Sequence, residues 1–286
     1  MELHATVHYA IICKNPRKDD KIMKKKAWLI LLSLALCLAL SMGCALAENV
    51  PDPADREAAL RSLLSGKKVS ILGDSISTFQ GYSNNTDYNP TIGNNAIYYT
   101  GAFSITNVNQ TWWMKAINRI GGQLHVNNSW SGDRVVTNGV TRATQLHDSN
   151  GVPPDIIAIY LGINDFRTGV QVNRFKATYN RMLTQMKKAY PNADIFLLTL
   201  VYSTNPHEGV DPDHVIYHNA VIEEMAEKHG CVLVDLYNDS GITKQNLAAN
   251  MCDGGLHPNE AGMEKMAQCL LNAMMDYYLP ATPTKE

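Results

Sequence analysis

Neither sign of charge dominates this chain: 25 Lys and Arg stand against 27 Asp and Glu, a net charge of −2. That balance argues against the sustained basic surface of a nucleic-acid groove, and the one dense basic run is Lys24-Lys25-Lys26. No internal repeat is present, which excludes solenoids and propellers. None of the 6 cysteines pairs with another at the short spacing of a zinc or redox motif. The apolar stretch from Ala27 to about Met42 falls short of the roughly 20 residues of a membrane span. What remains is ordinary globular composition over 286 residues, enough for one sizeable core or two small ones.

The start of the chain has its own logic. Lys24–Lys26, the apolar stretch and Ala45-Leu46-Ala47 supply the basic, apolar and small-residue parts of a secretory signal peptide, expected at 23–47. Residues 1–22 are polar and mixed in charge, as an extended start ahead of a true Met23 would be. Gly43-Cys44 invites a lipoprotein reading, with lipid on Cys44. Ser41, three residues earlier, stands where an aliphatic residue would be expected, so cleavage after Ala47 is preferred. On both readings the protein leaves the cytosol, and only a lipid on Cys44 ties it to a membrane. The mature chain keeps Cys231, Cys252 and Cys269, so at most one internal disulfide can form. Small buried hydrophobes is the simpler reading of all three.

A polar linker with two prolines is expected at 48–58, one folded domain at 59–280 and a tail at 281–286. Within the domain, Ala58 to Leu64 reads as a short helix and Val69-Ser70-Ile71-Leu72 as a strand. A long polar loop then runs from Phe79 to about Gln110. Thr111 caps a helix to Ile120, and Leu124–Asn128 is a second strand. Asp155–Leu161, Asp194–Leu200 and Cys231–Asp235 are three more. Between them, Val172, Phe175, Tyr179, Met182, Leu183, Met186 and Tyr190 recur at helical spacing. A last helix starts near Asn259. Strands alternating with helices predict an α/β fold, a five-stranded parallel sheet sandwiched between helix layers.

Polar, glycine-bearing segments interrupt this pattern at strand ends. Gly73-Asp74-Ser75 follows the first strand, Ser129-Trp130-Ser131-Gly132 the second and Gly162-Ile163-Asn164-Asp165 the third; Asp253-Gly254-Gly255-Leu256-His257 lies beyond the last. In a parallel sheet these ends share one edge. A hydroxyl, a backbone N–H, a carboxamide and an imidazole would thus converge, the inventory of ester hydrolysis. Ser75 is the candidate nucleophile and His257 its base. Ser75 and Gly132 N–H groups and the Asn164 side chain are candidate oxyanion donors. Asp253 is the candidate acid that orients the imidazole.

Taken in this order and spacing, the segments resemble the blocks of the SGNH/GDSL hydrolase family over about residues 68–278. The resemblance implies a flavodoxin-like three-layer α/β/α sandwich, a Ser75–His257–Asp253 triad, an oxyanion hole from Ser75, Gly132 and Asn164, and no metal or cofactor. One departure stands out. Three residues separate Asp253 from His257 where the family usually has two, and Gly254 holds the usual aspartate position. Either the glycines let the loop bulge so that Asp253 reaches, or a Ser–His dyad works with a backbone or water partner.

Other residues divide between function and packing. Asp74 and Asp165 read as turn-stabilising, Trp112 and Trp113 as core, and His125 as structural. Trp130, Tyr98 and Tyr99 are candidate substrate contacts, with plain packing as the alternative. His207, His214 and His218 read as solvated rather than metal-binding. The expectation is a secreted serine esterase acting on short acyl groups, acetyl above all, of a small acylated substrate such as a carbohydrate. Alternatives are a lipase or lysophospholipase-type acylhydrolase, a non-catalytic carbohydrate-binding or cell-surface protein, and acyl transfer to a sugar. No long apolar lid-like helix adjoins the motifs, which weighs against long-chain lipids.

Overall fold

The computed structural model describes residues 52–83, 97–102, 104–204 and 207–280. Expectations placed on 1–51, including the signal segment and Cys44, on 84–96 of the long loop and on the 281–286 tail lie outside the described residues.

From Pro53 onward, helices and strands alternate as α1 (Pro53–Leu64), β1 (Lys68–Gly73), α2 (Trp112–Arg119), β2 (Gln123–Ser129) and β3 (Ile156–Tyr160). There follow α3 (Ile163–Arg167), α4 (Val172–Ala189), β4 (Asp194–Leu198), α5 (Val215–His229), β5 (Val232–Val234) and α6 (Glu260–Tyr278). All five strands are parallel, in the order β2-β1-β3-β4-β5. This is the flavodoxin-like order, which reverses between β1 and β3, and ligands of such sheets bind outside the strand C-termini at that reversal. α1 and α2 pack on α6, and α4 packs on α5. Every residue of β3 is buried. A strand covered on both faces is apolar throughout rather than alternating, which is how this one reads in sequence.

Local chemistry fixes the helix ends and faces. Thr111 accepts a hydrogen bond from the Met114 N–H and starts α2, whose Trp112, Trp113, Ala116 and Ile117 are buried. In α4 the expected stripe is core: Phe175, Tyr179, Met182, Leu183 and Met186 are buried. Truncating one such residue to Ala costs about 2–5 kcal/mol. Asn259 caps α6 by accepting from the Gly262 N–H.

Three expectations change. α1 begins at Pro53, inside the stretch read as linker, because proline fits a helix's first turn, where its missing N–H costs nothing. His218 is buried, packed on the rings of Phe166 and Phe175, and not solvated like His214. The periodicity of α5 turns it inward. Cys231, Cys252 and Cys269 are all free thiols, with only Cys269 fully buried. His125 is structural, its Nε2 lying 2.7 Å from the Val152 carbonyl. Among the described residues no helix is long and apolar enough to cross a membrane.

Candidate active site

Ser75 stands where β1 breaks into a single helical turn, Ser75–Ser77. Asp74 caps that turn by accepting from the Ile76 N–H at 3.0 Å, and Thr78 closes it by donating its hydroxyl to the Ser75 carbonyl at 2.8 Å. Gly73 is required for closeness rather than for unusual backbone angles. A Cβ there would stand 2.6 Å from the Cβ of Ser77. Asp74 is fully buried, and burial pushes its carboxyl up to about 7 against the pull of the Ile76 N–H and Arg142. Its hydrogen bonding makes it a turn-holding residue, as expected.

Register delivers the next two turns to the same edge. Gly73 pairs with Ser129 of β2 on one side and with Tyr160 of β3 on the other. Gly132 and Asn164 each follow one of those strand ends by a few residues, so both flank Ser75. Gly132 takes φ +73, the left-handed conformation that glycine adopts without strain. The Asn164 side chain donates one Nδ2 hydrogen to the Asp133 carbonyl at 3.1 Å, which leaves its second amide hydrogen for another acceptor. Among the described residues, nothing accepts a hydrogen bond from the backbone N–H of Ser75 or of Gly132.

Buried charge braces this flank. Asp165, one residue after Asn164, accepts from the N–H groups of Val135 and Val136 at 2.8 and 3.1 Å. It thereby ties α3 to the segment that follows the Gly132 turn; burial pushes its carboxyl up to about 7 as well, against those two donors. Arg142, only 1% exposed, donates to the carbonyls of Gly73 at 3.0 Å and Asn128 at 2.5 Å. Its Nη2 also lies 2.5 Å from Asp133 Oδ2, an ion pair whose angles depart from those of a hydrogen bond. Asp133 itself accepts from Thr137 and Asn138 side chains at 2.7 and 3.0 Å.

The opposite flank is the Asp253–His257 loop. Its ends are pinned together: the Cys252 N–H donates to the His257 carbonyl at 2.8 Å, beside a Met251–Pro258 bridge. Asp253 folds inward, its Oδ1 accepting from the N–H groups of Leu256 at 3.1 Å and His257 at 2.8 Å. Its Oδ2 takes a hydrogen bond from His257 Nδ1. Gly254 and Gly255, at φ +83 and +136, absorb the extra residue in the loop. A Cβ on Gly255 would overlap the Thr204 hydroxyl, which donates to the Gly254 carbonyl at 3.0 Å. The question left by the spacing is thus answered geometrically: Asp253 reaches the imidazole.

Protonation follows from these contacts. Burial opposes the Asp253 charge, but the Nδ1–H and backbone N–H of His257 and the Leu256 N–H outweigh it. The carboxyl is held well below its ordinary range. As an acceptor-only carboxylate it keeps the imidazole proton on Nδ1 and leaves Nε2 as an acceptor. Nε2 lies 2.9 Å from Ser75 Oγ, so the serine hydroxyl donates to it. Burial lowers the pKa of His257 despite the support of Asp253, and the charge of Arg167 adds to the lowering. The base is therefore neutral at pH 7 and free to take a proton.

The three candidate substrate contacts separate. Tyr99 is fully buried, with its hydroxyl donating 2.8 Å to the Pro258 carbonyl, so it packs the loop and cannot meet a sugar. Tyr98 lies on the His257 ring, centroids 3.4 Å apart and planes 8° from parallel. Trp130 is partly exposed, one ring face covered by the Arg142 guanidinium 5.3 Å from its centroid. Arg142 and Thr204 escaped the sequence reading. An arginine after an irregular turn carries no mark of burial, and Thr204 meets the loop only through folding. Among the described residues no group of three His, Cys, Asp or Glu could hold a metal ion.

Comparison with known proteins bears on the whole of this edge. No curated protein sequence matches the chain. Among solved structures, a GDSL-like lipase from Bacteroides ovatus is 25% identical, with a TM-score of 0.54 over 73% of this chain and 98% of its own. A GDSL-like lipase from Bacteroides uniformis is 24% identical, with a TM-score of 0.52 over 74% and 97%. An acetylxylan esterase from Geobacillus stearothermophilus is 20% identical, with a TM-score of 0.54 over 74% and 95%. The profile of the GDSL-like lipase/acylhydrolase family matches residues 71–265, from within β1 into α6, and this chain belongs to that family of ester hydrolases.

Proposed function

We propose that this chain is an exported serine esterase that removes short acyl groups, acetyl above all, from a polar alcohol such as a carbohydrate. The observation that carries the reading is the continuous contact from Ser75 Oγ through His257 to Asp253, with Gly132 and Asn164 flanking the serine. In the first half-reaction Ser75 Oγ bonds to the ester carbonyl carbon while its proton passes to His257 Nε2. The oxyanion is met by the N–H groups of Ser75 and Gly132 and by the second Nδ2 hydrogen of Asn164. Collapse breaks the bond to the alcohol, which leaves with the proton from His257. Water then gives its proton to His257 as its oxygen attacks the acyl carbon, and Ser75 recovers a proton as the acid departs. Asp253 stays ionised throughout and compensates the transient imidazolium.

Ser75 and His257 are 4% and 7% exposed, so the ester must come close to the protein to meet the nucleophile. Among the described residues no long apolar helix overhangs the serine. Export rests on the signal-like segment at 23–47, with a lipid on Cys44 as the variant form. The test is turnover of p-nitrophenyl acetate by wild type and Ser75→Ala, followed by acetylated xylo-oligosaccharides against fatty-acyl esters of graded length. An acetyl-xylooligosaccharide esterase shares the fold, which makes that sugar the first to try. Ser75-dependent release that falls as the chain lengthens is expected. Turnover indifferent to Ser75 would point to a binding protein, and a preference for long chains would point to a lipase.

A further inference from the structure

Tyr98 touches His257 and Asp253 directly and is joined to Ser75 through Thr78. Its backbone N–H donates 2.9 Å to the Thr78 hydroxyl, the same hydroxyl that donates to the Ser75 carbonyl. Its ring lies flat on the imidazole of His257, at 3.4 Å and 8°. Its hydroxyl reaches Asp253 Oδ2 at 3.4 Å, long for an O–H···O bond. Tyr99, the next residue, stands edge-on to the same imidazole and is anchored on Pro258, so the backbone that presents Tyr98 is itself fixed. Asp253 holds the imidazole at Nδ1 and Ser75 holds it at Nε2. Once Ser75 has given up its proton and bonded to the acyl carbon, the second contact is loosened and the ring can turn about Cβ–Cγ. A flat aromatic neighbour stops that rotation, and its electron-rich face attracts a cation.

On the esterase reading above, we propose that Tyr98 is a positioning residue for His257: its ring fixes the imidazole plane, and its face stabilises the imidazolium formed when Ser75 gives up its proton. The proton balance of the reaction is unchanged. Ser75 Oγ–H loses its proton to Nε2, and the departing alcohol collects it; Tyr98 neither gives nor takes one. Burial keeps its phenol protonated, with the Asp253 charge adding to the effect. The charged groups that bear on His257 are Asp253 from its own loop, which favours the imidazolium, and Arg167 from α3, which opposes it. The Tyr98 face adds to the Asp253 side of that balance.

The experiment compares wild type with Tyr98→Phe, Tyr98→Leu and Tyr98→Met, each checked for an unchanged melting transition. Leu and Met keep an apolar cover and remove the π face; Phe keeps the face and removes the hydroxyl. The first readout is the titration midpoint of His257, followed by NMR of its ring and assigned by loss of the signal in His257→Gln. Leu and Met should lower the midpoint by about half a unit or more, and Phe should leave it within about 0.3, as expected for a cation–π contact. The second readout is p-nitrophenyl acetate turnover. Leu and Met should lower kcat about tenfold with KM within about twofold, and Phe should restore most of it. A His257 midpoint in the Leu and Met variants at or above wild type would overturn the proposal. So would a raised KM with unchanged kcat, which would make Tyr98 a substrate contact. If wild type shows no Ser75-dependent turnover, the esterase reading fails on its own, and the His257 midpoint still decides the role of Tyr98.

Discussion

The two flanks of Ser75 are built by opposite means. On the Gly132–Asn164 flank, three buried ionisable side chains brace the turns: the ion-paired Asp133 and Arg142, and Asp165, which accepts from two backbone N–H groups. None of the three meets the serine. On the Asp253–His257 flank, the braces are backbone hydrogen bonds, two glycines and an aromatic ring, and the charged residue is also the chemical one. The difference matches what each side does in the reaction. An oxyanion needs donors that do not move as charge develops, since preorganised dipoles are worth most when they need not reorient. A general base must pass its proton first one way and then the other, so its loop requires aim more than stiffness. Rigidity bought with buried charge is placed on the side that must hold still.

The comparison breaks first at Asp253. Asp253→Asn should lower kcat by about 10³–10⁴-fold, because the amide can favour the wrong imidazole tautomer. The fold should survive, since the Asn Oδ1 can still accept from the backbone N–H groups of Leu256 and His257. Undiminished turnover would mean that another group orients His257. On the other flank the loss should appear as stability instead. Arg142→Met strands the Asp133 carboxylate, fully buried, without its cation. Removing one partner of a buried pair costs about 3–5 kcal/mol, which urea unfolding will read. Arg142→Met with wild-type stability would show that the flank is not held by that pair.

A smaller change tests how the second flank tolerates its extra residue. Gly255→Ala places a Cβ onto the Thr204 hydroxyl at a φ of +136. The loop must shift, and Asp253 with it, so kcat should drop about 10–100-fold, as misplacement near 1 Å commonly costs. Thr204→Gly should recover part of the loss by removing the obstacle. Gentler still is the acid limb of wild-type kcat/KM. Protonated His257 cannot accept from Ser75, and burial lowers its pKa. Activity should therefore persist below the ordinary histidine value of about 6.5 and fall only at more acid pH. A limb above 6.5 would contradict the burial seen here.

Much of this was legible before folding, for identifiable reasons. β3 announces itself because a strand buried on both faces has no room for polar residues, and Ser75, Asn164 and His257 because each lies in a polar, glycine-bearing segment that interrupts the apolar pattern. Asp253 was legible as a candidate, but its reach was not. That depends on Gly255 adopting a φ no other residue type would favour, and on Thr204 arriving from the end of β4. Tyr98 and Tyr99 look alike in sequence, yet one covers the base and the other is sealed in the core. Adjacent residues in an irregular segment point wherever tertiary contacts send them, and no periodicity predicts that. Arg142 was invisible for a related reason: arginine is a surface residue by default, and only its three partners, Gly73 at the end of β1, Asn128 in β2 and Asp133 just beyond it, reveal otherwise.

His218 offers the finest way to separate the flanks. Its ring packs on Phe166, two residues past Asn164 in α3, and on Phe175, which also presses against Gly162. The nearest support for its protonated form is the Val170 backbone, too far from good geometry to count as a full hydrogen bond, and burial outweighs it and drops the pKa to about 4. The unfolded chain binds this proton near pH 6.5, so between 6.5 and about 4 it holds more protons than the folded one. Stability contributed by neutral His218 is present above 6.5 and is lost as pH falls through that window. His218→Leu keeps an apolar filler and removes the titration. The variant should match wild type in melting temperature at pH 7.5, exceed it by a few degrees at pH 5, and leave turnover at pH 7.5 unchanged. Equal melting temperatures at both pH values would mean that α3 accommodates the protonated ring. The braced flank would then be less rigid than its buried charges imply.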